Sequence, residues 1–279
     1  MSKLSLLGII LLLCVGAAKA QTITVQVNAS EGRRPVSSYI FGRNNNISDD
    51  PVKPTTADNI NLYKEAGLRF ARENGGNNAT KYNWRRKLGS HPDWYNNVYG
   101  HSWDFASQDI QARMPGLQVM WAFQLIGKAA GNKNNNFNDW SYNGSNWWSG
   151  VSQNLAGGGQ VNPAGGSQAL VNGNPDLYLV NWPADSTTDI LNHWFGPGGL
   201  GLDKNKLLYW SMDNEPEIWN GTHDDVMPSL LSASAFMDSY FAVAKKARER
   251  FPEIKLTGPV PANELQWYKW GSESLTIGG

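Results

Sequence analysis

Two hydrophobic periods run along this chain, and the places where one gives way to the other mark its elements. Thr22 to Asn28 reads Thr-Ile-Thr-Val-Gln-Val-Asn, the period-two alternation of a half-buried strand. The turn-forming Glu31-Gly32-Arg33-Arg34-Pro35 follows. Beyond it, short apolar runs predict strands near Tyr39–Gly42, Leu68–Arg72, Gln118–Leu125, Leu207–Asp213 and Ile254–Gly258. Helical spacing fills the intervals, over Thr55–Ala66, Ser102–Arg113, Thr187–Phe195 and, most clearly, Ser232–Phe251. In that last helix Phe236, Met237, Tyr240, Val243, Ala244 and Ala247 share one face, Ser232 caps the start, basic residues crowd the last turns and Pro252 stops it. Strands alternating with helices predict βα units around a parallel sheet. Gly127 to Asp185, rich in Gly, Asn and Ser and carrying Trp140, Trp147, Trp148 and Trp182, reads as a long ordered loop with a functional role.

Residues 1–20 follow a third pattern: Lys3, the apolar run Leu4 to Val15, then Ala18-Lys19-Ala20 as a small-x-small cleavage site. This predicts a secretory signal. The run is too short to span the ~30 Å hydrocarbon core of a bilayer, so the expected mature protein is exported and leaves the membrane once the signal is cleaved. The single Cys, Cys14, lies inside that signal, which excludes thiolate catalysis and Cys-based metal sites from the remainder. The 24 Lys and Arg balance 24 Asp and Glu, with no basic block longer than Arg85-Arg86-Lys87, so no nucleic-acid partner is expected. Among 279 residues there are 13 Trp; their flat apolar faces stack on sugar rings as well as fill cores, and the composition leans towards a carbohydrate-facing protein. His-Glu-x-x-His, a P-loop and a Gly-x-Ser-x-Gly elbow are all missing, and no cofactor for catalysis is implied. Asp49-Asp50, Asp139 and Asp224-Asp225 are candidates for a structural Ca²⁺, against the competing reading of solvated acidic residues.

Candidate chemistry concentrates in Tyr209-Trp210-Ser211-Met212-Asp213-Asn214-Glu215-Pro216-Glu217-Ile218-Trp219. Alternation puts Tyr209, Ser211 and Asp213 on one strand face and Trp210 and Met212 on the other, and Pro216 ends the strand with Glu215 at its C-terminal tip. Active sites of parallel α/β barrels form at such tips. Near Trp210 and Trp219, the Glu215 carboxyl is expected to hold its proton to a raised pH and act as a general acid. The Asn214 amide would then meet a sugar 2-hydroxyl.

Several further motifs occur in a matching order: Tyr39-Ile40-Phe41-Gly42, Gly75-Gly76-Asn77 with Thr80, Tyr82-Asn83-Trp84, Asp93-Trp94-Tyr95, Asp213-Asn214-Glu215-Pro216 with Trp219 and Thr222-His223, and Gly258-Pro259. Together they resemble the endoglucanases of glycoside hydrolase family 44, from about Tyr39 to Trp270. The resemblance implies a (β/α)8 TIM-like barrel with an attached β-sandwich, and retaining hydrolysis of β-1,4-glucans such as cellulose derivatives or xyloglucan. It assigns Glu215 as acid/base. It also places a carboxylate nucleophile about 5–5.5 Å away, at the end of the seventh barrel strand. The expected organisation is a signal peptide at 1–20, a strand of the β-sandwich within 21–36, and an incomplete barrel at 37–279. Only about the first five βα units are legible, so the chain is expected to be the N-terminal portion of such an enzyme, its nucleophile lying beyond it. By charge alone Glu217, Asp224, Asp225, Glu264 and Glu273 are substitutes. Glu73-Asn74 depart from the Arg and apolar residue usual before this Gly-Gly-Asn.

For substrate contact the candidates are Trp84 and Trp94 as stacking faces on the loop after the second strand, Asn77 on the same loop, Gln124 at the end of the third strand, Trp219, and His223 as an orienting group. Each has a competing structural reading as a core or turn residue. A different class of function, a non-catalytic glucan-binding remnant, would keep an aromatic cleft and lack turnover.

Overall fold

The computed structural model describes residues 23–44, 47–49, 54–73, 75–90, 102–134, 136, 156–165, 169–271 and 273–274. The chain divides into two compact units, Met1–Ser37 and Ser38–Gly279. In the first, residues 23–28 form no strand, and Ile23, Val25 and Val27 are each at least 75% exposed. This corrects the strand expected over Thr22–Asn28. A period-two run becomes a strand only where a neighbouring strand takes up its amides and a core takes its apolar face, and the described residues of this unit supply neither. The proposed signal lies outside the described residues.

The second unit is built on a sheet of β1 (Gly42–Asn44), β2 (Phe70–Arg72), β3 (Gln118–Phe123), β6 (Tyr209–Met212) and β7 (Lys255–Thr257), in that spatial order and parallel throughout. Helices α1 (Ala57–Glu65), α3 (Trp103–Arg113), α4 (Ala184–Thr188), α5 (Ile190–Phe195) and α7 (Ala233–Arg250) fill the crossovers. Their starts follow from local chemistry. Thr56 and Asn59 form a reciprocal capping box at α1, Ser102 accepts from Phe105 N at α3, and Ser232 accepts from Ala235 N at α7. Two further helices are single turns, α2 (Asn77–Thr80) and α6 (Trp219–Thr222).

Two elements differ from expectation. Ser38–Ile40 is a 3-10 turn and β1 begins only at Gly42, because the Tyr39 ring leaves the strand line to pack on Phe70 (5.4 Å between centroids) and Tyr209 (6.0 Å). The stretch Gly127 to Asp185 is closed at its base by an antiparallel pair, β4 (Lys128–Ala130) with β5 (Leu179–Asn181). Trp140, Trp147 and Trp148 lie outside the described residues. A last antiparallel pair joins β8 (Lys269–Trp270) to β9 (Glu273–Ser274).

The core explains most of the tryptophan. Trp121 and Phe123 of β3 and Trp210 of β6 face the helices: Phe123 stacks on Trp210 at 4.5 Å, Trp121 meets Trp103 of α3 and Trp194 of α5 at 5.1 Å each, and Trp194 reaches Trp210 at 5.5 Å. These rings are fully buried, each removing on the order of 150–250 Å² from water. The compositional lean towards sugar stacking therefore gives way, for these residues, to core packing. Among the described residues no helix is long and apolar enough to cross a membrane.

Candidate active site

β6 ends at Met212, and the backbone then makes an unusual turn. Asp213 and Glu215 both sit in the left-handed region, with φ of 69° and 47°. For residues with a Cβ this conformation costs on the order of 1–3 kcal/mol each and persists only where neighbours over-determine it. Those neighbours are present. The Glu215 amide donates to the Val260 carbonyl at 2.7 Å and the Val260 amide to the Asp213 carbonyl at 3.2 Å, which carries the β6–β7 pairing past the strand ends. Pro216, its φ preset for a first helical position, opens the 3-10 turn Pro216–Ile218. The Glu215 carboxyl is thereby left half-buried at the C-terminal edge of the sheet.

Asn214 is gripped from three sides. Its Oδ1 accepts from the Arg72 guanidinium at 2.8 Å, its Nδ2 donates to Asn77 Oδ1 at 3.0 Å, and its carbonyl accepts from Trp219 Nε1 at 2.9 Å. A guanidinium only donates, so Arg72 fixes which end of the amide faces it. The two glycines after β2 make room for this. A Cβ on Gly75 would stand 2.3 Å from Arg72 Cζ, and Gly76 turns with φ of 80°.

Burial is the main reason the Glu215 carboxyl is pushed above the usual glutamate range, and the Glu217 charge adds to it; a hydrogen bond from Asn214 and the Arg72 charge pull the other way. A carboxyl that keeps its proton towards neutral pH suits general-acid work. Glu217 is buried and its Oε1 accepts from Ala262 N at 2.5 Å, which engages that carboxylate in holding the loop after β7.

Asp213 is fully buried, and burial raises its pKa to about 6 despite hydrogen bonds from Leu125 N, Thr80 Oγ1 and Asn214 N and the Arg72 charge. The sign follows from linkage. A carboxyl whose folded pKa lies above its unfolded value of about 3.9 contributes stability that is complete below that value and is lost as pH rises through the folded pKa. Unfolding free energy is therefore expected to carry a component that falls between about pH 4 and 6, by roughly 3 kcal/mol. The check is denaturant titration across that range, with Asp213→Asn lacking the component.

The remaining sequence candidates separate. Asn77 joins the site through Asn214. Trp84 is buried, its Nε1 donates to Ser186 O at 2.9 Å, and its ring stacks on His193 at 5.2 Å. Trp84→Ala should lower stability by about 3–5 kcal/mol, read from the denaturation midpoint, as for other buried tryptophans. Gln124 is 2% exposed and turned inwards, its Oε1 accepting from Thr187 Oγ1 at 2.8 Å and Trp182 Nε1 at 3.2 Å. Trp219 is likewise buried, under the Asn214 carbonyl and against Phe236, and so supports the turn from below. His223 is buried edge-on to Trp219 at 6.5 Å. All four are buried, and Trp84, Gln124 and Trp219 make side-chain hydrogen bonds inside the fold. Trp94 lies outside the described residues. Of the calcium candidates, Asp49 accepts from Ser102 N at the start of α3, and Asp225 accepts from Lys81 at 2.5 Å and Tyr178 at 2.6 Å. Asp50 and Asp139 lie outside the described residues. Arg72, Thr80 and Asp213 gain functional weight beyond the sequence reading; the paired glycines at 75 and 76, which permit a close approach, were the available signal.

Residues 88–274 match the model of glycoside hydrolase family 44. The chain is similar to the solved structure of a bifunctional glucanase-xylanase from a metagenome library, at 23% identity and a TM-score of 0.60 over 84% of this chain. It is also similar to a xyloglucanase of that family from Paenibacillus polymyxa, at 17% identity and a TM-score of 0.51 over 85% of this chain. A beta-mannanase/endoglucanase A from Caldicellulosiruptor saccharolyticus is 21% identical over 259 residues, 88% of this chain. The chain spans 44% of the length of each of those solved structures and 17% of the last relative.

Proposed function

This chain belongs to glycoside hydrolase family 44, and on that premise we propose that it acts on β-1,4-glucan chains, xyloglucan among them, with Glu215 as the general acid and base of a retaining reaction. The observation that carries the reading is the half-buried Glu215 carboxyl at the tip of β6, protonated beyond the ordinary glutamate range and fixed by the Asn214 turn. In the first step the Glu215 proton passes to the glycosidic oxygen as its bond to the anomeric carbon breaks, while a second carboxylate attacks that carbon from the opposite face. In the second step Glu215, now ionised, takes a proton from water as the water oxygen displaces that carboxylate, and the starting configuration returns. The five parallel strands are read here as consecutive units of a (β/α)8-type barrel. No cofactor enters these steps. Residues 1–20 direct export, which places the enzyme where its polymer substrate is. The test is incubation of the complete enzyme with soluble cellulose derivatives and with xyloglucan, following new reducing ends and the anomeric configuration of the product by proton NMR. Release of β-anomer first supports the reading; release of α-anomer first, or no cleavage of either polymer, contradicts it.

A further inference from the structure

Asp213 lies one residue from the Asn214–Glu215 pair and is fully buried, yet it is charged with more hydrogen bonds than a residue in a plain strand end requires. Its Oδ1 accepts from Thr80 Oγ1 at 2.7 Å and from the Asn214 amide at 2.8 Å, and its Oδ2 accepts from the Leu125 amide at 2.6 Å. One carboxylate thus joins the end of α2, the exit of β3 and the turn itself. Thr80 is also fully buried, and the next residue, Lys81, is anchored by its ion pair to Asp225, which accepts from Tyr178 as well. The donor that reaches Asp213 is consequently held on a rigid mount. From these contacts we propose that Thr80 and Asp213 are positioning residues that set the direction of the Glu215 carboxyl.

The physical reason is the left-handed backbone at 213 and 215. Such a turn relaxes unless it is tied, and the Thr80–Asp213 contact adds a side-chain tie to the backbone bonds with Val260. Neither residue touches the reacting atoms; both act through the backbone that carries Glu215. The catalytic half of this inference rests on the hydrolase reading above, whereas the positioning of the carboxyl does not.

The experiment uses the complete enzyme and three variants, Thr80→Val, Thr80→Ser and Asp213→Asn. In Thr80→Val, which keeps shape and loses the hydroxyl, kcat on soluble β-glucan is expected to fall about tenfold with KM within about twofold, and Thr80→Ser should restore turnover. Carbon-13 NMR of glutamate-labelled protein, with Glu215 assigned from the Glu215→Gln spectrum, reads the titration of that carboxyl directly. The charges facing it, Glu217 and Arg72, are the same in every variant. The midpoint is expected to drop towards the ordinary glutamate range in Thr80→Val and Asp213→Asn, as the carboxyl leaves its shelter, and to stay raised in Thr80→Ser. An unmoved midpoint in Thr80→Val, or equal damage in Thr80→Val and Thr80→Ser, overturns the proposal. Should Asp213→Asn fail to fold, the threonine pair decides. A complete wild-type enzyme with no turnover counts against the hydrolase reading, and the titration still decides the positioning.

Discussion

Replacing Glu215 with Gln is expected to lower turnover of β-1,4-glucan by about 10²–10⁴-fold, the usual contribution of one positioned proton donor. Glutamine keeps the size of the side chain and its ability to accept from Asn214, so the Asn214 turn, the Arg72 contact and the fold are preserved. What is lost is the transferable proton. Because that proton matters at the transition state and not in the bound ground state, KM should change little while kcat and kcat/KM fall together. The pH profile carries a matching signature. The wild-type acidic group titrates above the ordinary glutamate range because of burial and Glu217, so the basic limb of the profile lies at correspondingly higher pH. Steady-state kinetics of both proteins on one soluble glucan, over a range of pH, checks both statements.

The second large effect falls on stability. Lys81 and Asp225 form a buried ion pair at 2.5 Å, with Tyr178 donating to the same carboxylate oxygen. Lys81→Met removes the cation and leaves Asp225 out of contact with water, and losing one partner of a buried pair costs about 3–5 kcal/mol. That is a large share of the 5–15 kcal/mol typical of a folded domain. Adding Asp225→Asn should recover much of the loss, since a neutral amide no longer needs a counter-charge and its oxygen still accepts from Tyr178. Denaturation midpoints of the two single variants and the double variant form a cycle that measures the coupling. Equal stability of wild type and Lys81→Met would mean that water or a third group compensates Asp225.

The sequence was most legible where periodicity and caps agreed. Ser232, Pro252 and the spacing of Phe236, Val243 and Ala247 bound a helix that the structure runs from Ala233 to Arg250. Strands β2, β3, β6 and β7 lie within a few residues of their apolar runs. The sequence points to Asn214 and Glu215 through a carboxylate followed by Pro at a strand end, a pattern that also suits a plain turn, and to Asn77 beside paired glycines; the structure joins Asn77 to Asn214 by a hydrogen bond. Long-range pairing was not legible. Nothing local distinguishes Ile23, Val25 and Val27, which stay exposed, from a true strand, and nothing in Lys128–Ala130 announces its partner at Leu179–Asn181. Sequence gives Trp84 and Trp219 a place near the substrate, whereas the structure satisfies the N–H of each with a single buried carbonyl, Ser186 or Asn214. Asp213 looked like a strand residue, and only the three donors converging on it reveal its work.

Proton donation by Glu215 is tested most directly by changing the leaving group. An alkoxide departing from a glucan chain needs the proton, whereas a dinitrophenolate leaves readily without one. The measurement compares kcat/KM of the complete wild-type enzyme and its Glu215→Gln variant on soluble glucan and on dinitrophenyl β-cellobioside. Donation by Glu215 predicts a loss of about 10²–10⁴-fold on glucan and less than about tenfold for cleavage of the activated aryl bond. An equal loss on both substrates would contradict it, and would assign Glu215 to binding or to the fold.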